Sequence, residues 1–283
     1  MSGPSLTELR ALGQPDSVTG RLNEEHWAGR LYMRDLSPYG TWLFALYAAL
    51  RDDASACPDD VIAVARDVAD YVAASWRLPC YDYWEESPDR VHTSTLAALA
   101  AGLRAAAQAL GDDCYDATAA EVMDFITARC VSAGAFVKGT ADTRVDGSLL
   151  SLAVPFGLVP LDDPHFVATL HRIRTELASP SGGIRRYRGD DYYGGSPWLL
   201  LTAWLGWCDR LRGDTAGFER ARDWVRRQAG PSGSLPEQVV AEPQLPDAVP
   251  VWERRWGPVA DPLLWSHAKY VLLVSDQAAM SWN

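Results

Sequence analysis

The chain has 283 residues, 48% of them hydrophobic, and a formal net charge of −11. That length fits one large domain or two small ones, and the acidic balance, with no basic run, excludes a nucleic-acid or anionic-membrane surface. Residues 1–20 hold no apolar stretch of signal-peptide length, and no segment approaches the roughly 20 apolar residues of a membrane span; the chain reads as soluble and cytoplasmic.

Apolar positions recurring at a period of 3.6 over alanine-rich faces predict helices over 39–51, 59–76, 93–110, 115–131, 147–154, 164–178, 197–212, 215–228 and 261–274. Pro38, Pro164, Pro197 and Pro262 stand near helix starts, where a missing N–H costs nothing. Asp163 and Asp261 each place a capping acid before a first-turn proline. Strand-like alternation is nearly absent. Short turns at 52–58 and 111–114 join helices into hairpins, whereas the connections 78–92, 179–196 and 229–260 are long and rich in Gly, Pro and aromatics. Loops of that length in a compact domain are functional or disordered, and their aromatic content argues for function. No composition shift marks a second domain, so an N-terminal extension over 1–29 and one domain over 30–283 are expected.

The five cysteines, Cys57, Cys80, Cys114, Cys130 and Cys208, show no Cys-x-x-Cys spacing and read as free structural thiols. No histidine pair has an i, i+4 ligand spacing, so no metal site is expected. Twelve tryptophans and eleven tyrosines either fill a wide helical core or line a cleft that stacks on sugar rings.

Three segments carry chemistry. Tyr-Asp-Tyr-Trp-Glu-Glu at 81–86 crowds Asp82, Glu85 and Glu86 beside Trp84; acids this close favour protonation of one member, as a general acid requires. A solvated acidic loop is the plainer reading. The glycine-rich run at 182–198 sets Arg186 and Asp190 among Tyr187, Tyr192, Tyr193 and Trp198, either to grip vicinal hydroxyls or as a surface ion-pair loop. Glu237, in Gly-Ser-Leu-Pro-Glu-Gln at 233–238, is the only acid between Asp223 and Glu242, a candidate general base or a helix-start acid. Two carboxyls brought together from distant segments are the minimal machinery for hydrolysing a glycosidic bond.

Taken in order, these segments resemble the glucoamylase-like glycoside hydrolases of family 15. Asp82, Trp84, Glu85 and Glu86 are similar to the family's acid loop. Arg186, Tyr187, Asp190, Tyr192, Tyr193, Gly195, Pro197 and Trp198 match its middle loop without a gap, and Glu237, Gln238, Trp265 and Ser266 its base segment. The resemblance, over roughly residues 30–275, implies an all-α (α/α)6 toroid of helical hairpins and an inverting hydrolase acting at the non-reducing end of a soluble α-glucoside or small glycoside. It implies Glu85 as general acid, Glu237 as general base, and carboxyls about 6.5–9.5 Å apart with room for one water. It further implies sugar contacts by Asp82, Trp84, Glu86, Arg186, Asp190, Trp198 and Trp265, and no metal or organic cofactor.

The N-terminal side departs from the family pattern. Tyr32-Met33-Arg34-Asp35 reads like the family's first sugar-gripping segment by residue type, while Ser37-Pro38-Tyr39-Gly40 fits its second by distance to Glu85. The second register is favoured, which leaves the toroid incomplete at its N-terminal side. Arg34 and Asp35 then replace the lost grip, or the terminal-sugar pocket is altered, or a second copy closes the gap as a homodimer. Two rivals stay open. One is a non-catalytic carbohydrate-binding or regulatory domain of the same fold. The other is a hydrolase of acidic or unsaturated sugars, served by Arg185, Arg186 and Arg188.

Overall fold

A computed structural model describes residues 35–52, 58–275 and 282. The expected extension over 1–29, Arg34 and most of the turn at 52–58 lie outside the described residues. Two compact units are formed, one from residues up to Ile126 with Gly139–Ala141, the other from Thr127–Lys138 with the chain from Asp142 onward.

The first unit contains α1 (Ser37–Asp52), α2 (Asp59–Ser75), α3 (Thr93–Leu110) and most of α4 (Asp113–Arg129). Residues 93–103 of α3 are all buried, and so are Ala105, Ala106 and Ala107, which makes α3 a central helix covered on most faces. Its small side chains permit a close crossing with α1. A Cβ on Gly102 would stand 2.5 Å from the Gly40 carbonyl oxygen and 2.6 Å from the Gly40 Cα. Burial at Ala65, Ala69 and Val72 on α2 and at its C-cap Trp76, and at Tyr115, Ala119, Val122 and Ile126 on α4, follows the 3, 4 spacing of one helix face. α3 closes at Gly111 in the left-handed conformation (φ 65°), as helix ends do where the next residue must turn away.

The fourth helix was expected over 115–131 and runs two residues earlier. Asp112 Oδ1 accepts the Cys114 N–H and caps it. Its end is set by a two-stranded hairpin, β1 (Val131–Ser132) with β2 (Ala135–Phe136), turned by Ala133 and Gly134 at positive φ.

The second unit carries a buried 3-10 turn (Gly147–Leu152) where an α-helix was expected, then α5 (Pro164–Arg172) continued by a π turn (Ile173–Leu177). α6 (Leu199–Leu211) and α7 (Thr215–Arg227) form a hairpin. α8 (Val249–Trp256) and α9 (Leu264–Val274) complete it. Asp163 caps α5 as expected, accepting the Phe166 N–H at 3.0 Å. Asp261 does not cap α9, which begins at Leu264: the Leu263 N–H donates instead to the Leu235 carbonyl at 2.9 Å. Among the described residues Cys80, Cys130 and Cys208 are buried, Cys114 is exposed and none of the four forms a disulfide, and no helix is long and apolar enough to cross a membrane.

Candidate active site

The first unit builds a pocket around Glu85. Asp82 is 1% exposed, and its Oδ1 accepts the backbone N–H groups of Trp84 and Glu86 at 2.9 Å each. Its own N–H donates to the Glu86 carbonyl, and its carbonyl accepts the Glu85 N–H. Four bonds from one residue tie the acid loop into a tight turn, with Glu85 in the left-handed region at φ 60°. Trp84 is largely buried, its ring edge-on to that of Tyr83 at 5.5 Å.

Glu85 lines a cavity of about 340 Å³ with Asp35, Pro38, Tyr39, Trp42, Val64 and Val68. Burial raises the Glu85 pKa, and the Asp82 charge raises it further. The cavity wall from α1 starts at Asp35, whose Oδ1 accepts the Ser37 N–H and hydroxyl at 3.0 and 2.8 Å. Burial lifts Asp35 from the usual 3.8 to about 6; the Ser37 bonds oppose this, and the charges of Glu85 and Asp82 add to it. The folded chain therefore holds a proton that the unfolded chain has released by pH 6. Stability contributed at Asp35 is lost as pH rises from about 4 to about 6. Asp35→Asn is expected to be more stable than the parent at pH 7 by on the order of 2 kcal/mol, the gap closing near pH 4; urea unfolding at the two pH values checks it.

The second unit holds Glu237 among backbone bonds and buried side chains. Ile184, Trp198 and Gln238 lie side by side through isolated bridges, and the Leu199 N–H donates to the Glu237 carbonyl at 3.2 Å. The Glu237 N–H donates to the Ala260 carbonyl, and the Ser266 hydroxyl to the Pro236 carbonyl at 2.8 Å. The first turn of α9, which carries Trp265, is thus tied to the segment bearing Glu237. Arg186 and Asp190, 3% and 0% exposed, form a two-pronged ion pair at 2.8 and 2.5 Å. The Arg186 guanidinium sits 5.0 Å from the Tyr192 ring and 5.4 Å from that of Trp198.

Burial raises the Glu237 pKa, opposed by the Gln238 side chain, the Arg186 charge and the Tyr192 hydroxyl, while Asp190 adds a small push upward. Glu237 Oε2 is buried and meets no hydrogen-bond partner among the described residues, so it has a lone pair to offer. Both glutamates are lifted by burial, but their neighbours act in opposite senses. An anion beside Glu85 favours the protonated form, and donors beside Glu237 favour the ionised form. Such a difference separates a proton donor from a proton acceptor.

The structure therefore groups Asp35, Asp82, Trp84, Glu85 and Glu86 in one unit and Arg186, Asp190, Trp198, Trp265 and Glu237 in the other. Two contributors escaped sequence reasoning. Tyr192, part of the matched middle loop, had no role assigned, yet burial and then the nearby Glu237 charge raise the pKa of its hydroxyl. Trp252 belongs to α8, hidden in the connection 229–260, and its ring meets that of Tyr192 edge-on at 4.9 Å. Pro250 stands in the first turn of α8, where it costs no hydrogen bond.

The family model described as "Glycosyl hydrolases family 15" matches residues 37–256. Isomaltose glucohydrolase of Kribbella flavida is 42% identical over 217 residues, 74% of this chain and 56% of that protein. A solved glycosidase superposes with a TM-score of 0.78 at 37% identity, covering 84% of this chain and 66% of that one. The glucoamylase of Hormoconis resinae shares the fold at 19% identity and a TM-score of 0.55, over 93% of this chain and 54% of that one. The chain thus spans a little over half the length of the isomaltose enzyme and about two thirds of the solved glycosidase. The fold class expected from the sequence, the all-α toroid of helical hairpins, is the one these proteins share. On the family match over residues 37–256, the chain belongs to glycosyl hydrolases family 15.

Proposed function

We propose that the chain hydrolyses a soluble α-glucoside or small glycoside from its non-reducing end with inversion, Glu85 acting as general acid and Glu237 as general base. The opposed surroundings of the two carboxyls carry this reading: Asp82 presses Glu85 toward its protonated form, while Arg186 and Tyr192 draw Glu237 toward its ionised form. In a single displacement Glu85 gives its proton to the leaving glycosidic oxygen. Glu237 takes a proton from a water that attacks the anomeric carbon from the opposite face, and the bond to the aglycone breaks.

The sugar that fits is neutral. Arg186 is spent on Asp190, and Arg185 donates to the Ala178 and Glu242 carbonyls at 2.9 and 3.0 Å, which weakens the case for an acidic-sugar hydrolase. Isomaltose is the first substrate to try, because the Kribbella flavida relative is an isomaltose glucohydrolase; a variant of the similar solved glycosidase is in complex with glucose. Proton NMR of the purified chain with isomaltose and a panel of α-glucosides tests the proposal. The expected first product is β-glucose. Early α-glucose refutes inversion, and no release from any member refutes the hydrolase reading.

A further inference from the structure

The acid loop holds two non-glycine residues in the left-handed region, Glu85 at φ 60° and Ser87 at φ 50°. Each conformation is sterically disfavoured for a residue with a side chain, so the surroundings must hold it in place. Asp82 holds the N-terminal half of the turn. The C-terminal half meets His92, the residue just before α3, which is 1% exposed. His92 Nε2 lies 2.9 Å from the Ser87 carbonyl oxygen. A carbonyl only accepts, so Nε2 carries the proton and donates it, and in the neutral ring Nδ1 is a bare acceptor.

Nδ1 is buried and has no hydrogen-bond partner among the described residues. The Gly139 backbone packs over that side of the ring: a Cβ there would stand 3.5 Å from Nδ1 and 2.6 Å from the Val91 carbonyl oxygen. An unsatisfied buried nitrogen is destabilising, a cost that a phenyl ring of similar size would avoid. Among the described residues the imidazole's one hydrogen bond is to the Ser87 carbonyl.

We infer that His92 is a positioning residue that fixes the direction in which the left-handed turn presents Glu85 to its cavity. The inference rests on the reading of Glu85 as general acid. It acts through geometry, since displacement of a catalytic group by about 1 Å can lower the rate by about a hundredfold.

Steady-state kinetics on isomaltose of the parent, His92→Phe, His92→Gln and Glu85→Gln test it, together with melting curves and ¹⁵N NMR of the His92 ring in the parent. His92→Phe is expected to lower kcat by at least about tenfold with KM within about twofold. His92→Gln, whose amide can donate to the same carbonyl, is expected to recover most of that loss. The NMR is expected to place the ring proton on Nε2. A parent-like kcat in His92→Phe, a loss confined to KM, no rescue by Gln, or a proton on Nδ1 alone each overturns the assignment. If His92→Phe does not fold, the ring tautomer in the parent decides. Full turnover by Glu85→Gln would sink the reading of Glu85 itself. An inactive Glu85→Gln beside a parent-like His92→Phe removes only the role of His92.

Discussion

Glu85→Gln and Glu237→Gln are each expected to lower turnover by a factor of about 10²–10⁴ while leaving the fold intact. Glutamine keeps the volume and one carbonyl of each side chain but can neither release a proton to a leaving oxygen nor take one from a water. Neither glutamate anchors its loop. The turn at 82–86 hangs on Asp82, and the Glu237 segment is held by its own backbone bonds to Ala260 and Leu199. Burial already disfavours charge at both positions, so a neutral amide is expected to change stability by less than about 1 kcal/mol. Initial rates on isomaltose with parallel thermal melts separate the two effects. A Glu237→Gln chain with parent activity would end its assignment as base, and one that melts far below the parent would recast Glu237 as structural.

The largest loss of stability is expected at the crossing of α1 and α3. In Gly102→Val the new side chain would start from a Cβ 2.5 Å from the Gly40 carbonyl oxygen, and that obstacle is backbone rather than a movable side-chain tip. The helices must separate, opening the alanine-lined contact along their length, at a cost of at least about 3 kcal/mol. Tyr39, the neighbour of Gly40, lines the Glu85 cavity, so any folded remainder should also lose activity. Gly111→Ala is the control. Nothing stands within 4 Å of a Cβ there, and only the positive φ of 65° is strained, for about 1 kcal/mol. Urea unfolding of both variants decides, and a Gly102→Val chain as stable as Gly111→Ala would show that the crossing yields.

What the sequence told and withheld follows from how local each feature is. Helix periods and the Asp163 cap depend on neighbours within a few residues, and Thr93–Leu110 is found where its pattern places it. The family-like segments were legible because their residue types and order suffice to mark them. The hairpin at 131–136 is only two residues per strand and reads as a helix end. The cap expected from Asp261 gave way to a long-range bond between Leu263 and Leu235. α8 was missed because none of its residues is buried, so no apolar stripe announces it. The left-handed turn at Glu85 was equally hidden, since its cause lies in bonds from Asp82 and His92.

Asp35 and Glu85 face one small cavity, and the charge of Glu85 helps keep the Asp35 carboxyl near pH 6. Burial supplies most of that lift, and the charges of Glu85 and Asp82 add smaller pushes in the same direction. At mildly acidic pH the cavity surface is therefore already partly discharged, where two bare carboxylates would otherwise repel each other.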